Sequence, residues 1–517
     1  MLRSTESRVS TIILFQMAQC NLSRVRELMN DRDTTDVYEP TRWGLPEEAS
    51  ADLGNRLRRA WSRFRACFKT KTRDASEHAW TYLRGLVGME TKRNYANIAR
   101  RVIGLEDDGQ NVQHFMSDSP WSAQAVLQQV QREISATPGL SQGGILLLDE
   151  SADEKAGSQS AGAGRQYNGR LGKIEMSQVG VFLAFYKDVV WTWVDGELFL
   201  PAHWFAADMA KARQRAGVPK ERQFATKIEL GWRMIQRVKA NGLPFEAVAC
   251  DDLYGRSGWL RREMDIAHIL YMAEVPESTQ VYLTKPEFGL PPPRPGHRGR
   301  QATRPKVLSA DKPVEVRQVV PLADTQIQRV RVRSTERGEL DDPFAMRRVW
   351  TIRKGELAAE WLVIRHEDSQ RYSYALSNAP ADTSREYLAW LKCGRHFVER
   401  ANQEAKSETG WDELQAQKYR AWEHHLAMTI LATWFIAQTK HEWALTYRRD
   451  PELAQQMELD VLPALSVANM RELLQAAMPL PQLSPEQATQ LVVKHLVNRS
   501  RSTQSRLRAQ RKARGPT

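Results

Sequence analysis

The sequence predicts an α/β protein built on a mixed sheet, and three observations predict it. Gly143-Gly-Ile-Leu-Leu-Leu-Asp149 is a continuous apolar run opened by glycines and closed by acid, the pattern of a strand buried on both faces. Phe245-Glu-Ala-Val-Ala-Cys-Asp251 repeats the pattern and is followed by a glycine turn at Gly255. Around these runs, strand patterns at 179–185, 189–194, 197–200, 267–272 and 280–283 alternate with helical ones at 220–240 and past Arg261. Residues 141–285 therefore read as the first part of a sheet-and-helix core.

Upstream, residues 1–37 are polar and poorly patterned, which predicts a frayed end. Leu53, Leu57, Trp61 and Phe64 then recur at helical spacing with Arg56, Arg58, Arg59, Arg63 and Arg65 between them. This amphipathic basic helix suits a solvated surface and nucleic-acid contact equally. Further helices are expected at 79–86, at 94–103 and from Ser119-Pro120-Trp121 toward 134, since proline lacks the N–H that a first turn leaves unpaired. Residues 1–140 thus read as an all-helical domain. The small-residue loop 156–164 lacks the Gly-Lys-Ser/Thr ending of a phosphate-binding loop and is expected to be mobile, and Asp195-Gly196 reads as a turn.

Downstream, 286–306 is rich in proline, glycine and arginine and reads as an extended basic linker. Alternation returns at 314–320, 327–332, 349–353, 361–365 and 372–376, so 307–383 reads as a β-rich insertion. A helix at 384–406 carries Glu399, and one at 418–440, apolar on most sides, belongs in the core; 384–445 form the C-terminal helical part of that core. His424-His425 lacks the i,i+4 spacing of metal ligands and reads as structural. Residues 446–517 are a weakly helical segment and a basic tail, whose Arg499, Arg501, Arg506, Arg508, Arg511 and Lys512 have no acid among them. Such a tail is expected to stay disordered until it meets a polyanion, with nonspecific DNA the usual partner.

A net charge of +12 and a pI near 9.5 favour an acidic partner such as nucleic acid but name no reaction. At 517 residues and 42% hydrophobic, the chain is long enough for several cores. Cys20, Cys67, Cys250 and Cys393 show neither metal spacing nor a disulfide framework, which fits a reducing cytoplasm, and Cys250 reads as a buried small hydrophobe. No apolar stretch approaches the length of a membrane span, and Thr11-Ile-Ile-Leu-Phe15 is too short for a signal-peptide core. A soluble, unprocessed protein is expected.

The candidate chemistry lies in the acids. Asp149 alone would most simply cap a turn. Arg395, Glu399, Asn402 and Lys406, aligned on one face by about 3.6 residues per turn, would alone be a solvated ladder of ion pairs. Together, two strand-end aspartates and a helical glutamate supply the convergent oxygen ligands that two hard divalent cations need. Glu150, Asp153 and Asp252 stand beside the chosen acids, and a one-residue shift of register would make them the ligands instead.

At these residues the chain resembles the DDE transposases of bacterial insertion sequences, over roughly residues 38–445. The first matching block runs from Ile145 to Pro201. It contains Leu148-Asp149-Glu150, Gly164-Arg-Gln-Tyr-Asn-Gly-Arg-Leu-Gly-Lys-Ile-Glu175, Gln178-Val-Gly-Val-Phe-Leu183 and Asp195-Gly-Glu-Leu-Phe-Leu-Pro201. The second is Asp251-x-x-Tyr254-Gly255. The third, Arg395-x₃-Glu399-x₆-Lys406, is similar to the family's Tyr-x₂-Arg-x₃-Glu-x₆-Lys signature, with Lys392 where the tyrosine would fall.

The resemblance implies a ribonuclease H-like catalytic core in which Asp149, Asp251 and Glu399 hold two Mg²⁺ ions, with Mn²⁺ able to substitute. It implies DNA strand cleavage and 3′-hydroxyl transfer, with Arg395 and Lys406 clamping phosphates and Arg165, Lys173 and Tyr254 adding DNA contacts. The N-terminal helical domain and the β-rich insertion, set apart from the catalytic strands, would bind DNA ends. A homo-oligomer, at least a dimer, would pair terminal inverted repeats with target DNA at the nucleoid. A metal-dependent nuclease of the same fold and a noncatalytic DNA-binding relative are the alternatives.

Overall fold

The apolar run at 145–148 forms a buried central strand, but the strand does not stop at its acid. In the computed structural model, which describes residues 35–514 apart from 170, 293–301, 323, 336–337 and 369–370, strand β1 spans Ile145–Glu154. Strands β2 (Gly164–Asn168) and β3 (Lys173–Lys187) form a hairpin, and β3 with β4 (Val190–Phe199) forms a second. β1 lies antiparallel to β3 along its whole length, from Ile145↔Tyr186 to Glu154↔Ser177. Its other edge pairs parallel with β5 (Ala247–Cys250), but only from Ile145↔Ala247 to Leu148↔Cys250. β5 in turn pairs parallel with β6 (Leu270–Val275), ending at Cys250↔Ala273. Asp149 therefore lies one residue past the parallel ladder, within a strand that β3 carries onward.

The β-rich insertion is not set apart from these strands. Its strands β7 (Gln328–Thr335), β8 (Gly338–Arg353), β9 (Glu356–His366) and β10 (Tyr372–Ser377) run antiparallel in order, and β10 pairs with β6 from Tyr374↔Val275 to Ser377↔Met272. One ten-stranded sheet results, ordered β7-β8-β9-β10-β6-β5-β1-β3-β2, with β4 also on β3. A buried carboxylate ties the two parts together. Glu360 of β9 is 0% exposed and pairs with Arg261 at 2.7 Å, while Tyr271 of β6 and Thr351 of β8 donate to the same carboxylate. The expected basic linker is closed at its base by a short ladder, Phe288↔Val307 and Gly289↔Lys306. Its residues 293–301, like Cys20 and residues 1–34 of the frayed end expected over 1–37, lie outside the described residues, and Thr35–Tyr38 form a helical turn.

Helices α1 (Leu53–Phe64), α2 (Ser76–Gly88), α3 (Tyr95–Val102), α4 (Gln110–Ser117) and α5 (Ala123–Ala136) precede the sheet. α6 (Lys227–Ala240) and α7 (Gly258–Ile266) connect its strands. α8 (Arg385–Gly394), α9 (His396–Ser407), α10 (Tyr419–Thr446), α11 (Val467–Ala477) and α12 (Pro485–Arg514) follow it. Successive strand residues face opposite sides. Leu148 against Gly231 of α6, and Asp149 against Asn402 of α9, therefore put these two helices on opposite faces of β1. A Cβ on Gly231 would lie 2.7 Å from Leu148 Cδ2, so a larger residue there would make the leucine shift.

The N-terminal helices share one continuous apolar core with the sheet, from Leu53 through Leu148 to Leu474. α10 lies at its centre and is buried on almost every side, as a helix apolar all round must be. Its histidines serve structure: His425 lies 2.9 Å from the Tyr82 hydroxyl and 3.1 Å from Trp411 O, and His424 reaches Met116 O and Trp121 O. The arginines of α1 are spent on protein acids, with Arg56 on Glu442, Arg59 on Asp52, and Arg63 on Glu133 at 2.6 Å.

Several boundaries differ from expectation for local reasons. α5 starts at Ala123 with Ser122 as its cap, because Trp121 is drawn into the core against Phe115 and His424. α6 starts at Lys227, where Thr226 and Glu229 make a capping box. Asp195-Gly196 is not a turn. β4 runs through it, the chain reverses at Asp188 (φ 51°), and the fully buried Asp195 anchors Arg237 of α6 at 2.8 Å. Nor is the loop 156–164 loose, since Ala161 donates to Gln417 O and accepts from Gln178, and Trp204 donates to Ala163 O. The basic tail is helical. Ser484 accepts from the Gln487 N–H, Pro485 occupies the first turn, and the arginines that follow are good helix formers. Among the described residues no helix is long and apolar enough to cross a membrane.

Gly255 marks the tightest approach near the site, since a Cβ there would lie 1.8 Å from Glu274 O on β6. Gly255→Ala should destabilise the protein by about 1–3 kcal/mol, the usual cost of overpacking, whereas Gly157→Ala, with nothing within 4 Å, should be neutral. Thermal denaturation of both variants beside wild type checks this; equal melting temperatures would contradict the packing.

Candidate active site

The parallel ladders set three acids at one height. Leu148, Cys250 and Ala273 are level across β1, β5 and β6, so the next residues, Asp149, Asp251 and Glu274, leave neighbouring strands together. Asp251 is held in place by the helical turn it caps, Asp252–Gly255, with Oδ1 accepting the N–H groups of Leu253 at 3.1 Å and Tyr254 at 3.4 Å. Asp149 Oδ1 accepts from Glu150 N at 2.8 Å, and Oδ2 from Asn402 Nδ2 at 3.3 Å. The indole of Trp193 donates to Asn402 Oδ1 at 2.9 Å, which turns the amide N–H₂ toward Asp149.

One carboxylate oxygen each from Asp149, Glu150 and Asp251 lies within 4.8 Å of the other two. Burial, reinforced by Asp251 and Glu150, pushes the Asp149 carboxyl up to about 8. Burial and Glu150 raise Asp251 to about 6. Hard cations such as Mg²⁺ and Mn²⁺ take this kind of all-oxygen ligand set.

These acids floor a cleft of about 970 Å³. Arg395, Glu399, Asn402 and Lys406 line one side, Arg371 to Tyr374 at the start of β10 another, and the tip of the β2–β3 hairpin at Tyr167 a third. Arg395, immediately before α9, joins the acids to the helix: Nε meets Glu274 Oε2 at 2.9 Å and Nη2 meets Glu399 Oε1 at 2.9 Å. Glu399 thus shares the cleft, but its carboxylate is turned to Arg395 and His396 and stands outside the cluster of three. Lys406 Nζ is held by Asp153 at 3.1 Å and by Ala152 O.

Not every residue expected to touch DNA faces this cleft. Tyr254 is 0% exposed and sits beneath the acids. Arg165 and Lys173 are exposed on the β2–β3 hairpin but do not line the cleft, and Lys173 pairs with Glu175 at 2.8 Å. Arg499, Arg501, Arg506, Arg508 and Arg511 are exposed along α12; Lys512 lies in the same helix. Each neighbouring acid has a cation, Asp252 with Arg256 at 2.8 Å, Asp153 with Lys406 and Glu150 with Lys227 at 2.8 Å, and of the three only Glu150 joins the cluster with Asp149 and Asp251.

Sequence reasoning passed over Glu274, Lys227 and the part played by Lys392. Lys392, 4% exposed, reaches Glu274 Oε1 at 3.2 Å, so the lysine at the family's tyrosine position neutralises an acid of the cleft wall. Lys392 and Arg395 hold the Glu274 carboxyl below its ordinary range despite burial. The strand end at 270–275 offered a signal, since Glu274 closes a buried run there as Asp149 and Asp251 close theirs.

The strand order β4-β3-β1-β5-β6, with acids at the ends of the β1–β5 ladder, is that of a ribonuclease H-like core. The chain belongs to the DDE superfamily endonucleases, whose family model matches residues 63–339. That stretch contains Asp149 and Asp251 and ends before Glu399. The probable transposase for insertion sequence element IS701 from Microchaete diplosiphon is 28% identical over 192 residues, which cover 35% of this chain and 44% of that protein.

The two raised carboxyls fix a pH dependence. A folded pKa above the ordinary 3.8 stabilises the protein at low pH, and that contribution is lost as pH rises through about 6 for Asp251 and about 8 for Asp149. Divalent cations bind the ionised form. At fixed Mg²⁺ concentration, the rise in melting temperature over the EDTA-treated protein should therefore be larger at pH 8 than at pH 6, read by differential scanning fluorimetry. An increment that does not change with pH would contradict the assignment.

Proposed function

We propose that this protein is a DNA transposase that cleaves phosphodiester bonds at the ends of an insertion sequence and transfers the freed 3′-hydroxyl ends to target DNA. The observation that carries the reading is the pair Asp149 and Asp251, held side by side at the floor of an open cleft in a DDE superfamily endonuclease. Two divalent ions, Mg²⁺ or Mn²⁺, would be held by Asp149, Asp251 and Glu399. Oxygens of Asp149, Glu150 and Asp251 converge within 4.8 Å, which suits a divalent ion, and Glu399 lines the same cleft. Bound there, the ions supply activation of the attacking hydroxyl and stabilisation of the leaving 3′ oxygen.

The chain's own groups position the reactants. Asp251 is fixed by two backbone N–H groups and Asp149 by an amide that Trp193 has oriented, so neither carboxylate has to search for its place. Arg395 presents a guanidinium between Glu274 and Glu399 at the cleft wall, where it would grip a phosphate next to the scissile bond. Lys406 and Arg371 add positive charge along the wall. Arg165 and Lys173 would meet the duplex outside the cleft, and the arginines of α12 would follow its backbone without reading sequence. Tyr254 supports the acids from below. A homodimer pairing two terminal inverted repeats, acting at the nucleoid, completes the proposal.

The test is cleavage of a supercoiled plasmid carrying the gene's own flanking DNA. Purified wild type should cut at the ends of an inverted repeat with Mg²⁺ and not with EDTA. Asp149→Asn should lose cleavage by at least about 10³-fold, the scale of removing a group on which catalysis depends, while retaining DNA binding in a gel-shift assay. Binding by wild type without any cut would contradict the catalytic reading and favour a DNA-binding relative.

A further inference from the structure

Neighbours on a strand face opposite sides, so Glu150 belongs with α6 and away from Asn402. Its carboxylate nevertheless comes within 4.8 Å of oxygens of both Asp149 and Asp251. The reason lies in the sheet: β5 ends at Cys250, opposite Leu148, so Asp251 leaves the ladder beside Asp149 and Glu150. Lys227, in the first turn of α6, holds Glu150 Oε1 at 2.8 Å and fixes the side chain in this direction. The other oxygen, Oε2, is buried and has no hydrogen-bond partner.

A second group points at the same place. The Tyr254 side chain is 0% exposed, and its hydroxyl also has no partner of hydrogen-bond geometry. Its neighbour is the Glu150 carboxylate, which acts on the hydroxyl both as a hydrogen-bonding group and as a charge that comes ahead of the charges of Asp149 and Asp251. A buried phenol costs stability unless its O–H is used. Here it is placed to donate to a carboxylate that has been drawn into line with the others.

We infer that Glu150 is itself a metal ligand: its free oxygen joins Asp149 and Asp251 around one divalent cation, Lys227 anchors its second oxygen, and the Tyr254 hydroxyl positions the set. The inference rests on the metal site proposed above and adds a carboxylate from the adjacent position of the same strand. Two consecutive acids then serve one site because the strand on one side of them has ended and the strand on the other side has not.

The test uses the full-length protein and Mn²⁺ alone, without DNA. Mn²⁺ affinity is measured by isothermal titration calorimetry, and the number of water molecules on bound Mn²⁺ by electron spin-echo spectroscopy in D₂O, for wild type, Glu150→Gln, Glu150→Asp and Asp149→Asn. Melting temperatures in EDTA establish that each variant is folded. Glu150→Gln should weaken Mn²⁺ by at least about tenfold, the lower end of what losing even an outer partner costs a metal site, and the ion should gain one water. Glu150→Asp keeps the charge but withdraws the oxygen, so it should weaken binding too, and it carries the test if the glutamine variant does not fold. Weakening by Glu150→Gln with wild-type affinity for Glu150→Asp would overturn the inference, because charge alone would then explain the effect. So would affinities within about twofold of wild type and an unchanged water count for both. Asp149→Asn separates the two levels. If it alone loses Mn²⁺, the metal site stands without Glu150, and if it binds Mn²⁺ like wild type, the site itself is wrong.

Discussion

The site depends on a four-residue register. Leu148 opposite Cys250 puts Asp149 and Asp251 next to each other, and no backbone adjustment short of a slipped strand can part them. With both carboxylates ionised, two charges within 4.8 Å would repel by at least about 3 kcal/mol at an effective dielectric of about 20. The register survives because the residues beneath the acids are apolar: Ile145 to Leu148 and Ala247 to Cys250 are all at most 1% exposed. Each large aliphatic side chain among them contributes about 1.5–3 kcal/mol on burial. Burial of the run outweighs repulsion at its end.

Charge around the cleft is distributed to the same effect. The outlying acids have cations of their own: Glu274 has Lys392 and Arg395, and Asp153 has Lys406, while within the cluster Glu150 has Lys227. Asp149 and Asp251 instead accept N–H groups, among the described residues, from backbone and from Asn402. The contrast shows in their protonation, with Glu274 held below its ordinary range and Asp149 pushed up to about 8. The joining of β10 to β6 adds the opposite wall, so the insertion shapes the cleft through backbone hydrogen bonds.

Two kinds of feature were legible in the sequence. Short apolar runs closed by acid identified β1 and β5, because a strand buried on both faces leaves no other reading. Helical spacing put Arg395, Glu399, Asn402 and Lys406 on one face, and all four line the cleft. What was not legible depends on partners distant in the chain. Nothing local reveals that β3 carries β1 past Asp149, that β10 closes onto β6, or that Tyr254 is sealed below the acids. Asp195-Gly196 looks like a turn, and only Arg237, 42 residues on, makes it a buried anchor. The α12 tail was misjudged from charge alone, although its cap at Ser484 and its helix-forming residues were there to read.

The β1–β5 register sets Asp149 and Asp251 where a divalent cation would sit between them. Crystals of the full-length protein soaked in Mn²⁺, with diffraction recorded near the manganese absorption edge, test it most directly. The account predicts an anomalous peak within about 2.0–2.3 Å of a carboxylate oxygen of both Asp149 and Asp251. No peak between them, or ordered manganese elsewhere with the two carboxylates apart, would contradict it.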